Sequence, residues 1–130
     1  MCLDLRKDSK ILIARRDIPV VKWLVKTSGG QLKSPYKNCT WSRRELKTAP
    51  RFTGDYGAPV HESLKRHTAI NEGLHAYDVT RGRKECKDCP DALHYEAVIP
   101  KGTKYIRGKD GEVVSLALRL TGKRFKLEKK

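Results

Sequence analysis

Cys86-Lys87-Asp88-Cys89, with His94 five residues further on, is the sharpest chemical spacing in this chain. A Cys-x-x-Cys knuckle lets two thiolates reach one zinc ion, and zinc takes four ligands. His94 is close enough in sequence to serve as a third ligand, and Cys39, His75 or Cys2 could supply the fourth. Structural zinc sites usually carry a second paired motif, and this chain has none. The same spacing does redox chemistry when it opens a helix after a strand, with basic neighbours such as Lys84 and Lys87 lowering a thiol pKa. That βαβ context is missing. The remaining reading, two reduced cysteines in a variable loop, asks least of the sequence, so zinc is the one cofactor raised and none is required.

A second set of candidates is basic residues with aromatics between them. Arg15 and Arg16, Arg43 and Arg44, Lys65 and Arg66, and the Arg81–Lys87 group run through the chain, with Tyr36, Trp41, Tyr56, Tyr77 and Tyr105 interspersed. Aromatic rings flanked by guanidinium groups bind unstacked bases or a nucleotide ring. Tyr36, Tyr56 and Tyr105 stand beside turn residues and suit a surface, whereas Trp23 reads as core, and core packing is also the alternative for Trp41. The basic pairs read equally well as a solvated face.

His75 and Tyr77 lie two apart, so a strand would put them on one face, where they could grip a phosphate or do acid–base work. A satisfied, partly buried histidine is the plainer reading. Glu112 opens the last strand after a turn and could polarise a ribose hydroxyl. No Gly-rich phosphate loop, Ser/His/Asp arrangement or paired metal-binding carboxylates can be read.

The charge balance narrows the partners. The chain has 130 residues, 29 basic against 15 acidic, for a net charge of +14. Self-repulsion at that level is relieved by an anion, and nucleic acid or an anionic nucleotide is the simplest. Homo-oligomerisation is compatible with this. The apolar runs Ile11–Ala14 and Val113–Leu118 fall far short of the ~20 residues that span a bilayer, and Met1–Asp8 has no apolar stretch of signal-peptide length. The expected location is the cytoplasm (a host's, if the protein is viral), where cysteines stay reduced.

These residues need strands to position them. Val20–Lys26 is the best strand, Ser28-Gly29-Gly30 a hairpin turn, and Gln31–Tyr36 its antiparallel return. Cys39–Lys47 carries Trp41. Ala49–Val60, broken by Pro50, Gly54, Gly57 and Pro59, reads as a surface loop. His61–Ala69 reads as a helical turn or two, Leu74–Tyr77 as a strand, and Val79–Asp91 as irregular with a helical turn near Asp91. His94–Ile99, Thr103–Ile106 and Glu112–Leu120 complete the strands. The expected fold is α+β: one strand-rich domain over residues 1–122, a twisted antiparallel sheet or sheets with one or two short helices, then a basic tail over 123–130.

Met1-Cys2-Leu3, the Val20–Val25 strand with Ser34-Pro35-Tyr36 after it, Glu72-Gly73-Leu74-His75-Ala76-Tyr77, Ile99-Pro100-Lys101-Gly102-Thr103-Lys104-Tyr105 and the Glu112–Leu120 strand together resemble a family of small proteins from phages, prophages and gut bacteria. The arrangement is distantly similar to the ADP-ribosyltransferase fold. That resemblance implies Glu112 in the catalytic glutamate position, with His75 and Tyr77 lining an NAD site. Lys22 and Lys26 stand where a gripping His or Arg is expected, and no Ser/Tyr element follows Tyr77. The expected function is therefore non-catalytic binding of an anionic nucleotide or nucleic acid, with a nucleotide signal of host defence as one candidate for sequestration. Arg43, Arg44, Lys65, Arg66 and Lys104 would meet phosphates, with Tyr36, Tyr77 or Trp41 stacking on the ring and His75 and Tyr105 also contacting the ligand. The alternatives are an NAD-dependent transferase acting through Glu112, and a small zinc-stabilised nucleic-acid-binding protein held by Cys86, Cys89 and His94.

Overall fold

One long strand, bent in the middle, organises this molecule. The computed structural model describes residues 3–34, 40–42, 44–54, 57–60, 64, 67–82, 84 and 92–125. Along the chain run β1 (Leu3–Asp4), β2 (Ile11–Ile13), β3 (Ile18–Lys26), β4 (Leu32–Lys33), β5 (Thr40–Trp41), β6 (Leu46–Thr48), β7 (Ala69–Ile70) and β8 (Leu74–Tyr77). There follow a helical turn α1 (Val79–Gly82), β9 (Leu93–Ile99), β10 (Lys104–Arg107), β11 (Glu112–Ser115) and β12 (Ala117–Arg124). All the strand pairs are antiparallel, as expected of a strand-rich α+β chain with little helix.

The main sheet runs β2-β10-β11-β8-β3-β9-β12-β6, with β4 and β5 paired onto the far end of β3. β11 and β12 are two halves of one chain stretch, bent at Leu116. The Leu116 N–H donates to the Lys104 carbonyl at 3.0 Å, and its own carbonyl accepts from Ala49 N–H at 2.9 Å. Both groups of a strand residue point to one edge, so β10 and β6 share that edge and β8 and β9 lie on the other. Since β8-β3-β9 links those two halves, the sheet path returns to the strand it left and encloses an interior.

That interior holds Val20 and Leu24 of β3, Ala76 of β8, Tyr95, Ala97 and Ile99 of β9, Val113 of β11, Leu118 and Leu120 of β12, with Ala14, Leu32 and Trp41. Strict alternation would place Val113 and Ser115 opposite Leu118 and Leu120. The bend shifts the parity by one, so Val113, Leu118 and Leu120 all point inward while Val114 joins an outer cluster with Leu3, Phe52, Leu64, Ile70 and Ile106. The Ser115 hydroxyl stabilises the bend by donating to the Ala117 carbonyl at 2.8 Å. The short β1–β7 pair covers the outer cluster. A third group, Val21, Trp23, Tyr77 and Ala92, packs outside β3, and Gly82 lies so close to Val21 that a Cβ there would sit 2.3 Å from the valine's own.

Several expectations change. A helical turn forms at Val79–Gly82, in a stretch expected to be irregular; the turn expected near Asp91 falls outside the described residues. Ala69, expected to end a helical stretch, instead forms β7 with Ile70 and pairs with β1. β12 extends through Arg124, and the Phe125 N–H donates to the His94 carbonyl at 2.6 Å. Lys123 and Arg124 therefore belong to the sheet rather than to a tail.

Candidate functional site

A sheet that curls brings its distant strands together, and the short link from β2 to β3 shows how tightly. β2 and β3 are four strand steps apart, ~19 Å across a flat sheet at ~4.8 Å each. The five residue steps from Ile13 to Ile18 reach ~17 Å when fully stretched. The sheet must curl toward the link, and residues 14–17 then bridge the open side of the curve. Both ends of the bridge are anchored. Ala14 exchanges backbone bonds with the β9–β10 turn, donating to Thr103 O at 2.9 Å and accepting from Gly102 N–H at 2.8 Å. Asp17 accepts the Lys101 N–H at 2.9 Å.

Arg15 and Arg16 stand between these anchors, both exposed. They rim a groove of about 400 Å³ whose other walls are Leu12, Ile13, Ile18, Pro19, Tyr105 and Arg107. The register explains its make-up: Tyr105 pairs with Leu12 across β10 and β2, and Arg107 is two residues on along the same face. Tyr105 and Ile18 pack against the interior cluster. The Arg107 guanidinium rests 5.6 Å from the centre of the Tyr105 ring. The ion pairs among the described residues are Arg6–Asp8, Lys47–Glu45 and Arg51–Glu72, so none of the groove's three guanidinium groups has a carboxylate partner there. Three like charges against an apolar wall repel one another until an anion enters.

The other candidate residues are scattered. Lys104 alternates with Tyr105 along β10 and is not among the residues that line the groove, although its partner Ile13 is. Trp41 is 5% exposed and sits in the interior, its indole N–H donating to Ser34 Oγ at 3.2 Å, with Lys22 and Lys47 near its ring at 5.6 and 5.2 Å. It offers no free face for a base. The Arg44 side chain lies along Gly122 of β12. Tyr77 is buried, stacked on Trp23 with ring centres 4.0 Å apart, and Arg81 covers both rings at 5.1 and 5.6 Å. His75 shares the Tyr77 face, but its Nε2 lies 2.9 Å from the Asn71 carbonyl. The two residues are thus engaged separately. Tyr36, Arg43, Lys65, Arg66, Cys86 and Cys89 lie outside the described residues. His94 is buried on β9, with Nδ1 2.7 Å from the Gly82 carbonyl. Among the described residues no cluster of three or more His, Cys, Asp or Glu side chains could hold a metal.

Glu112 pairs with Tyr77, which pairs with Val21, so these three share the outer face. Burial pushes its carboxyl above the ordinary glutamate value; the Asp4 backbone N–H and Arg81 oppose that rise, while the charges of Asp4 and Asp110 add to it. Its Oε2 is buried and accepts no hydrogen bond. Lys22, next to Val21, points to the other face, where its Nζ donates to the His75 carbonyl at 2.6 Å. The strand register therefore separates Glu112 from the lysine at the expected gripping position.

Sequence reading noted the Arg15–Arg16 pair but assigned it no role, and it passed over Arg107. Tyr105 and Arg107 at i and i+2 were a usable signal for a shared face; the closeness of Arg15 and Arg16 to them depends on the curl. Comparison with protein-family models, with curated proteins and with solved structures found no match. Among the described residues no helix is long and apolar enough to cross a membrane.

Proposed function

We propose that this chain is a non-catalytic binding protein for an anionic nucleotide or nucleic acid, and that the groove of Arg15, Arg16 and Arg107 receives the phosphate. The observation that carries the reading is three arginines with no carboxylate partner among the described residues, lining one groove together with an aromatic ring and apolar side chains. Guanidinium forks bind phosphate oxygens in pairs, which suits Arg15 and Arg16 on their anchored link. Leu12, Ile18 and Tyr105 offer hydrocarbon and a ring to a base. The volume falls within the range of small-ligand pockets, about 300–1,000 Å³. An occupant held this way without turnover would be sequestered, the role that a counter-defence protein of phage type would need.

The first test is the ratio of absorbance at 260 and 280 nm for the purified protein, with mass spectrometry of any copurifying nucleotide. The second is fluorescence polarisation with a labelled nucleotide and a short labelled single strand. The Arg15→Ala/Arg16→Ala double variant should lose at least about tenfold in affinity, ~1.4 kcal/mol. Unchanged affinity in the double variant would refute the assignment.

One observation favours a second reading, an enzyme acting on NAD: the buried Glu112 Oε2 with no donor. Nicotinamide release from NAD that disappears in Glu112→Gln would establish it. The binding reading expects no release from either protein.

A further inference from the structure

We propose that the groove selects phosphorylated nucleosides over unphosphorylated ones, and that Arg107 is the residue that sets this specificity. The inference rests on the binding reading above and concerns how the ring of the ligand gains its place. Among the described residues, Tyr105 is the only aromatic side chain lining the groove. Its ring packs against the interior cluster, and the Arg107 guanidinium lies 5.6 Å from the ring centre. Access for a base is therefore restricted from both directions.

Arg107 is the movable cover. Its backbone is held by pairing with Val113 on β11 and by Ser9 Oγ, which donates to its carbonyl at 2.7 Å. Its side chain makes no ion pair among the described residues. A partly exposed cation over a phenol ring is held weakly, whereas a charge-assisted bond to phosphate is strong. A ligand that brings a phosphate exchanges the weaker contact for the stronger one, drawing Arg107 off the ring and opening Tyr105 to the base. A ligand without phosphate must displace Arg107 with no compensating contact. Arg15 and Arg16, which lie on the link rather than on β10, contribute phosphate affinity without covering the ring.

The test compares adenosine 5′-monophosphate, adenosine and inorganic phosphate by isothermal titration against the intact chain. The unmodified protein should bind the monophosphate at least about tenfold tighter than adenosine. Arg107→Ala should weaken the monophosphate and tighten adenosine by about threefold or more, and Arg107→Gln should do the same while retaining bulk. Arg15→Ala should weaken the monophosphate and inorganic phosphate and leave adenosine unchanged. The adenosine gain should vanish when Tyr105→Leu is added to Arg107→Ala. If the monophosphate needs Arg15 but adenosine fails to tighten in both Arg107 variants, the specificity proposal is wrong and the groove assignment survives. If the monophosphate does not bind, or binds regardless of Arg15 and Arg16, both are wrong.

Discussion

Glu112 opens β11 directly after a turn, as its place in the sequence suggests, and what the structure adds is the burial of its carboxyl. Its carboxyl is raised above the ordinary value of 4.5 chiefly by burial, with Asp4, Asp110 and Arg81 as charged neighbours. A raised carboxyl pKa means that the folded state holds the proton more tightly than the unfolded chain. That contribution to stability is complete below the ordinary value and is lost as pH rises through the folded one. The difference in melting temperature between the unmodified protein and Glu112→Gln should therefore shift in favour of the variant across that window. A pH-independent difference would show that the carboxyl is not perturbed. Because Glu112 and the groove's Arg107 occupy opposite faces, the same variant should leave nucleotide affinity within about a factor of ten, ~1.4 kcal/mol.

At the scale of elements, the link over residues 14–17 decides whether the groove exists in a fixed form. Preorganised cations bind an anion without first losing the entropy of being gathered. The Asp17–Lys101 bond is the anchor that a side chain can test. Asp17→Ala should cost about three- to tenfold in nucleotide affinity, ~0.7–1.4 kcal/mol, with little change in melting temperature because the bond is exposed. Asp17→Asn keeps the acceptor oxygen and removes a nearby negative charge, so its affinity should equal or exceed that of the unmodified protein. Equal losses in both variants would assign the effect to something other than anchoring.

For the whole molecule the dominant quantity is the charge of +14. The three ion pairs among the described residues neutralise little of it. Binding of a single strand should weaken with salt, because each neutralised phosphate releases counterion, with a log–log slope of about −0.7 per contact. Two to three contacts in the groove give a slope of roughly −1.4 to −2. Affinity that stays flat between low and physiological salt would show that the contacts are not electrostatic.

How much of this was legible in the chain follows from the range of each interaction. Strand identity is local: the reading of Leu74–Tyr77 has the observed bounds, and those of the Val20–Lys26, His94–Ile99 and Thr103–Ile106 strands agree within about two residues, because short runs of β-branched, aromatic and other apolar residues beside Gly or Pro carry their own signal. The basic character of the chain and the burial of Trp23 were equally plain. The bend at Leu116 was not, since Val113-Val114-Ser115-Leu116 alternates passably until a neighbouring strand on each half forces the parity to shift. Nor was the burial of Trp41, which depends on β5 folding over an interior closed by β12, some 80 residues later in the chain. Arg15, Arg16 and Arg107 meet only because a link of four residues cannot cross a flat sheet. The sequence by itself determined strands, charge and the residue types available for binding an anion. Sheet closure alone decided which of those residues meet, because side chains far apart in sequence are brought together by strand register and curvature, and neither is encoded in any single segment.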